Sequence, residues 1–252
     1  MSENLIVGEG TSLEAWNQSR SLAQLPVISA EILVPVGSRA VIIAPHPDDE
    51  LLGFGGLMRQ LLQLGRAMQL ISVTDGGASH PGSSAWPTER LAVVRPLESA
   101  QALRRLDLPL DRMEWLRGGF SDSAVASQEQ ALSRFIEHNL RPTDVVFVTW
   151  ELDGHSDHEA TGRAALLAAQ NVGAQCYQVP IWAWHWAQPE DELIPWKRAR
   201  KILLDPTTVA RKRHAADAFD SQLQGDPEIG LSPVLTAVVL ERLLQPFEVV
   251  FL

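Results

Sequence analysis

This 252-residue chain holds one cysteine, Cys176. No intrachain disulfide can form, and cysteine-rich metal clusters are excluded. Basic residues are scarce beside acidic ones: 21 Lys and Arg against 31 Asp and Glu give a formal net charge of -10. That balance argues against non-specific nucleic-acid binding and against docking on anionic membranes. Long apolar runs are missing too, none approaching the roughly 20 residues needed to cross a bilayer. The N-terminus carries Glu3 and Glu9 where a secretory signal carries positive charge. These absences lead us to expect a cytoplasmic protein that acts on a small molecule, with no nucleic-acid or membrane partner. The sequence does not define an oligomeric state.

What is present suits a folded enzyme. Hydrophobic residues make up 45% of the chain and charged ones 21%, proportions of a soluble globular protein able to bury a sizeable core. Strand and helix signals alternate, so a single α/β domain over residues 1–252 is expected, with 1–38 as an N-terminal extension. In that extension Ser12-Leu13-Glu14 opens a short helical stretch and Glu31 to Val34 suggests an edge strand. Core strands are read at Arg39 to Ala44, Met68 to Thr74, Met113 to Leu116, Asp144 to Thr149 and Ala174 to Pro180. Helices are read at about Glu50 to Leu64, Glu89 to Leu106, Gln128 to Asn139, Glu159 to Gln170 and Thr207 to Gln224. The first three strands are followed by the loops at 45–49, 75–88 and 117–123, and a final strand spans Phe247 to Phe251. The expected architecture is a Rossmann-like, doubly wound, mainly parallel sheet of order 3-2-1-4-5 with helices on both faces.

Two stretches carry chemistry. Pro45-His46-Pro47-Asp48-Asp49-Glu50 follows the first strand, and Asp153-Gly154-His155-Ser156-Asp157-His158 follows the fourth. One imidazole and three carboxylates in a single strand-to-helix loop repel one another unless a cation neutralises them or one carboxylate holds a proton. Helix capping accounts for one or two of those carboxylates but not for His46 or its flanking prolines. In a 3-2-1-4-5 sheet, strands one and four are neighbours where the winding reverses, so both clusters would meet at the carboxyl ends where ligands bind. A catalytic zinc keeps about three protein ligands and an open position, and two histidines with one carboxylate suit it. The remaining groups are then free for proton transfer.

With Gly154-His155-Ser156-Asp157-His158, the segment Pro45-His46-Pro47-Asp48-Asp49-Glu50 resembles the LmbE-like, or PIG-L, family of metal-dependent N-deacetylases, over most of the chain from about Arg39. The resemblance implies that His46, Asp49 and His158 are zinc ligands, although Fe2+ or another divalent ion would also serve, and that Asp48 is the general base. It gives His155 the role of polarising the carbonyl oxygen as a protonated ring oriented by Asp157. Arg95 and Asp122, near Gly119-Phe120-Ser121-Asp122-Ser123, resemble the region that holds substrate hydroxyls. Two positions depart from the family pattern. Asp153 stands where sugar-thiol members carry a tyrosine, Tyr177 being this chain's only one, and Ser156 replaces a proline.

The implied reaction is zinc-dependent removal of an N-acetyl group from an N-acetylglucosamine-type sugar or conjugate. The alternative is a zinc-dependent hydratase or lyase acting on a small unsaturated carboxylate, since fold and metal do not fix chemistry. Gly53-Phe54-Gly55-Gly56 lacks the spacing of a nucleotide-binding turn and reads as close helix packing. Trp182, Trp184 and Trp186 alternate, which on a strand puts them on one face, against a sugar ring or in the core. His80 and Trp86 lie in a loop long enough to be a lid. His138, His185 and His214 lie outside the two clusters and read as structural or solvated, and Glu50 is placed to support His46.

Overall fold

The structure, a computed structural model, describes residues 6, 8–111 and 113–252. Residues 1–5 of the expected extension, Glu3 among them, and residue 7 lie outside the described residues. In the extension, α1 (Leu13–Asn17), α2 (Arg20–Ala23) and α3 (Ala30–Leu33) are single turns, capped by the side chains of Ser12, Ser19 and Ser29 respectively. The core then alternates as β1 (Arg39–Ala44), α4 (Asp49–Gln63), β2 (Ala67–Thr74), α5 (Thr88–Arg105), β3 (Glu114–Phe120), α6 (Glu129–Asn139), β4 (Val145–Thr149), α7 (Ser156–Val172) and β5 (Gln175–Val179). The last segment holds α8 (Ala183–Trp186), β6 (Ala199–Leu203), α9 (Pro206–Ala216), α10 (Asp220–Leu223), α11 (Ala237–Leu243) and β7 (Phe247–Phe251). Among the described residues no helix is long and apolar enough to cross a membrane.

One sheet of order β3-β2-β1-β4-β5-β7-β6 runs through the molecule. The first five strands are parallel in the expected 3-2-1-4-5 order, whereas β7 and β6 extend the sheet antiparallel. The sheet is therefore mixed, with two strands more than the parallel layout expected. β1 and β4 are buried almost throughout, as continuous apolar strands covered on both faces must be. Ala40, Ile42, Leu70 and Phe147 pack toward α4, α5 and α9, while Val41, Ile43, Ile71 and Val148 pack toward α6 and α7.

Four local readings are corrected. Glu31 to Val34 is not an edge strand, because Ser29 accepts from the Ile32 amide and starts α3. The tryptophan stretch turns into α8, so its rings diverge. Trp184 meets Trp16 edge-on at 4.9 Å, Trp186 stacks on Trp150 at 6.4 Å, and Trp182 stacks on His155 at 6.5 Å. Strand β3 continues to Phe120 where a loop was read from Arg117. Strand β6 was not anticipated, no element having been read over residues 196–206, and the Thr207 to Gln224 helix divides into α9 and α10.

A buried ion pair holds α4 in position. Lys212 Nζ lies 2.6 Å from Glu248 Oε1, and both side chains are all but inaccessible. Lys212 Nζ also donates to the Leu52 carbonyl at 2.8 Å, while Glu248 accepts from the amides of Gly56 and Leu57. Leu52 and Gly56 are four apart, so the pair takes both ends of one step of the helical ladder. A Cβ at Gly56 would run into Leu204 and Glu248, which explains the glycine there. Replacing Lys212→Met strands a buried carboxylate and should cost about 3–5 kcal/mol in urea unfolding. Adding Glu248→Gln, which removes the stranded charge and keeps an acceptor for one of the two amides, should recover part of that loss. A neutral effect of the single change would show that the pair does not brace α4.

Candidate active site

Both acidic-histidine segments leave the sheet at the β1/β4 junction, the point where the winding reverses. Asp48 is the residue before α4, yet its side chain makes no capping hydrogen bond. Its φ of 134° lies in the left-handed half of the map, unusual for a side chain other than glycine. The Glu50 carboxylate accepts from the Asp48 amide at 3.1 Å, and the Asp48 carbonyl accepts from Leu51 and Leu52, so the conformation is held from both sides. Glu50 thus supports Asp48 rather than His46.

Asp49 Oδ2 is the meeting point of the two segments. It lies 3.3 Å from His46 Nδ1 and 3.1 Å from His158 Nε2. Among the described residues the buried His158 Nε2 has no hydrogen-bond partner. Donor separations of about 3.3 Å are what metal bonds of about 2.0 Å at a tetrahedral angle produce. The donor atoms of His46, His155 and His158 lie within 4.8 Å of one another, and so do those of His46, Asp122 and Asp157. The donors grouped closely enough for a divalent cation are thus His46, His155 and His158, and Asp49 Oδ2 touches two of these three.

The electrostatics point the same way. Burial disfavours a charged His46, but Asp122, Asp157 and Asp49 raise its pKa well above the usual histidine range. Burial likewise opposes charge on His158, which Asp49 and Asp153 nevertheless push up to about 9. The carboxyls of Asp49 and Asp122 are opposed by burial and yet held below the ordinary range, by His158 and His46 respectively. Ionised carboxylates thus draw positive charge into the cluster, here as protons on imidazoles, and a divalent ion answers the same demand. Asp48 differs. Burial first, then Asp49 and Glu50, push it up to about 7 against the pull of Arg95 and His46.

The residues expected to act on substrate have protein partners. Arg95 Nη2 donates to Asp48 Oδ2 at 3.1 Å and to the Pro47 carbonyl at 2.8 Å, and Nη1 donates to the Gly76 carbonyl at 2.9 Å. Gly76, at φ 71°, lies against that guanidinium so closely that a Cβ would clash. Asp122 Oδ1 lies 3.3 Å from His46 Nε2, and its Oδ2 accepts from the Ala78 amide. Asp157 does not orient His155 through its carboxylate. That group faces His46 Nε2 at 3.2 Å and accepts from the amides of Ser123 and Val125. Only the Asp157 amide reaches His155, donating to Nδ1 at 3.2 Å. Burial, with His158 and His46 nearby, pushes His155 down to about 3, so its ring is neutral rather than protonated as expected.

Asp153, recognised in the sequence only as a missing tyrosine, has a specific role here. Its Oδ2 is 2.8 Å from His158 Nδ1, and its carboxylate accepts from the amides of Ile181, Trp182 and Ala183. It fixes His158 with Nε2 toward Asp49 and ties the start of α8 to the cluster. A buried aspartate five residues before a candidate ligand was the available signal.

The cleft outside the cluster has a volume of about 230 Å³. Its lining includes polar side chains, among them Asp48, Arg95, Asp122, Ser79 and Ser123, and apolar ones, Leu52, Ile181, Trp182, Val234, Leu235 and Leu243. A buried His/Asp cluster at the switch point of an α/β sheet, opening on such a cleft, is the layout of a metal-dependent enzyme acting on a small molecule. The chain belongs to the PIG-L family: the model described as GlcNAc-PI de-N-acetylase matches residues 41–169, just over half of it.

Solved structures agree on the fold. The zinc-inhibited form of teicoplanin deacetylase Orf2 is 18% identical with a TM-score of 0.60, covering 85% of this chain and 97% of its own. The A40926 pseudoaglycone deacetylase Dbv21 is 24% identical with a TM-score of 0.60, covering 85% and 96%. The 4-carboxy-2-hydroxymuconate hydratase GalB from Pseudomonas putida KT2440 is 15% identical with a TM-score of 0.53, covering 85% and 95%. The same fold therefore serves deacetylases and a hydratase, and the site must discriminate between them.

The Asp153 contact predicts that Asp153→Asn weakens metal binding by about 10–100-fold, the usual effect of removing a carboxylate behind a ligating histidine. Titration of the metal-free protein with zinc and a competing chelator measures it. An unchanged dissociation constant would detach Asp153 from the metal set.

Proposed function

We propose that the protein is a metal-dependent N-deacetylase acting on an uncharged N-acetylated sugar or sugar conjugate, with His46, Asp49 and His158 as metal ligands and Asp48 as general base. The observation that carries this reading is Asp48 itself: a buried carboxylate on the cleft wall, beside the ligand set, held by Arg95 and not used to cap its helix. A zinc ion, or another divalent metal, supplies Lewis acidity for the amide carbonyl and lowers the pKa of water at the site. Asp48 takes the proton released as water attacks the amide carbon and passes it to the departing nitrogen, so the products are acetate and a primary amine. His155, with Nδ1 accepting from the Asp157 amide, carries its proton on Nε2 and offers it to the carbonyl oxygen as charge develops. On this reading Arg95 and Asp122 act through Asp48 and His46 rather than by gripping ring hydroxyls.

The charge of the cleft argues against the hydratase alternative. Arg95 is the only Lys or Arg among its lining residues, and both its terminal nitrogens are engaged. Apart from the metal, which both reactions would use, an unsaturated dicarboxylate would meet Asp48, Asp49 and Asp122 with no free Lys or Arg among the lining residues to receive its second charge. A neutral acetamido sugar would find both polar groups and apolar side chains with Trp182 in the lining. The acidic net charge and lone cysteine support a cytoplasmic location and a small-molecule partner, and the continuous sheet supports one catalytic unit.

Free-amine detection across N-acetylated sugars, beside a hydration assay on unsaturated dicarboxylates, should give activity with the first group. Activity confined to the second would overturn the reading. Asp48→Asn should keep stoichiometric metal while turnover falls by roughly two or more orders of magnitude; loss of the metal instead would make Asp48 a ligand. Arg95→Ala should lower kcat more than it raises KM, because it acts on the base and not on the bound ring.

A further inference from the structure

The three alternating tryptophans at 182, 184 and 186 divide between two surroundings. Trp184 and Trp186 pack against the apolar cluster that contains Trp16, Trp150 and Phe251, whereas Trp182 belongs to none of the apolar clusters formed by the described residues. Its side chain is half-buried and lines the cleft with His46, Asp48 and His155. A large aromatic group that the core does not use and a cleft wall does is suited to binding a ligand.

Two anchors fix this residue. The Asp153 carboxylate, which also holds His158, accepts from the amides of Ile181, Trp182 and Ala183 at 2.9 Å each. Ile181 packs at Gly53 of α4, where an added Cβ would lie 3.1 Å from its Cδ1. Trp182 is thereby referred both to a proposed ligand and to the helix that carries Asp49. The planes of Trp182 and His155 are 22° apart, with centroids at 6.5 Å. Near-parallel rings in full contact stand about 3.5–4 Å apart, so His155 reaches the rim of the indole and does not cover its face. The other aromatic neighbour, His185, is inclined at 69° and makes an edge contact at 5.9 Å, so neither ring is stacked over the indole.

We propose that Trp182 is a substrate-binding residue on whose indole the pyranose ring of the N-acetylated sugar packs while the acetamido carbonyl is held at His155. The proposal rests on the deacetylase reading and deepens it. It also narrows the substrate to a compound with a ring, since a pyranose offers a face of C–H bonds to an aromatic surface and an open-chain amine does not. The acetamido carbonyl is joined to the ring through a single nitrogen, so a carbonyl at His155 brings the ring to the surface next to that imidazole. Trp182 lies beyond residues 41–169, so the contact belongs to the segment of this chain that the family model does not match. Its backbone is held by Asp153 before substrate arrives, and a preorganised platform loses less on binding than a mobile one.

The test is a substrate and variant cycle. Acetate release is measured from methyl N-acetylglucosaminide and from N-acetylglucosaminitol, the open-chain alditol, which keeps the acetamido group and a polyol chain but has no ring face. Wild type, Trp182→Phe and Trp182→Ala are compared, and each keeps the backbone amide that Asp153 accepts. With wild type, KM should be about tenfold lower for the ring compound. Trp182→Ala should raise that KM about tenfold with kcat little changed, the mark of uniform binding, and should leave KM for the alditol within about twofold. Trp182→Phe, which keeps an aromatic face, should recover most of the loss. Equal wild-type KM values for the two compounds would overturn the proposal even if a variant does not fold. Variants that lose nothing, or that lose equally on both compounds, would overturn it too; a fall in kcat on both with KM unchanged would show Trp182 acting through His155 and not on the ring. If wild type releases acetate from no N-acetylated compound, the deacetylase reading and this inference fall together; activity indifferent to the ring removes this inference alone.

Discussion

Asp49, Asp122 and Asp157 all lie within about 3.3 Å of the imidazole of His46, and that crowding of buried carboxylates is the constraint on which the rest of the site depends. Such a group is tolerable only with positive charge among its members. The protein supplies part of the answer through its imidazoles and leaves, at His158 Nε2, a buried nitrogen without a hydrogen-bond partner among the described residues. The two histidines present opposite faces to Asp49, His46 through Nδ1 and His158 through Nε2, because each has its other nitrogen turned to a carboxylate behind it. This is the arrangement that fixes tautomers before a metal arrives.

Around that centre the fold separates two tasks. The pairing of β1 with β4 brings the histidine-bearing segments together, and Lys212 and Glu248 brace α4, whose first residues include Asp49. Asp48 stands just outside the helix in a backbone conformation that costs energy, and its side chain is kept from capping so that Arg95 can hold it at the cleft. Had Asp48 capped α4 in the ordinary way, its carboxylate would be spent on backbone amides and unavailable as a base.

Much of this was legible in the sequence. The five parallel strands, their order and the meeting of the two His/Asp segments followed from apolar runs broken at Pro45 and after Thr149, since a buried parallel strand announces itself by continuous β-branched residues. Side-chain partnerships were less legible. Nothing in the spacing of His155 and Asp157 tells that the carboxylate turns to His46 while only the amide serves His155, because that choice is made by the amides of Ser123 and Val125 arriving from another loop. Asp153 escaped notice for the same reason, its three backbone donors lying 28 to 30 residues away in sequence. Strand β6 was hidden because its Arg200 and Lys201 stand side by side between Ala199 and Ile202, so the period-two alternation of an edge strand is absent from its sequence.

The division of the chain at about residue 169 has a physical meaning. Residues 41–169, matched by the family model, contain each proposed ligand, the base, Arg95, His155 and the carboxylates behind them. The later segment contributes none of these, yet it forms Trp182, Gln222, Val234, Leu235 and Leu243 of the cleft wall. It is also bound to the earlier part by polar contacts rather than by core packing alone: Asp153 holds the start of α8, Glu98 holds Ser221, and Ser83 holds Asp226 at 2.5 Å. Wall residues can therefore vary without disturbing the metal-type cluster, while their positions remain referred to it through Asp153 and Glu98. On the proposed reading, reaction type and substrate choice are carried by different stretches of the chain, and Trp182 joins them, its amide on Asp153 and its ring stacked on His155.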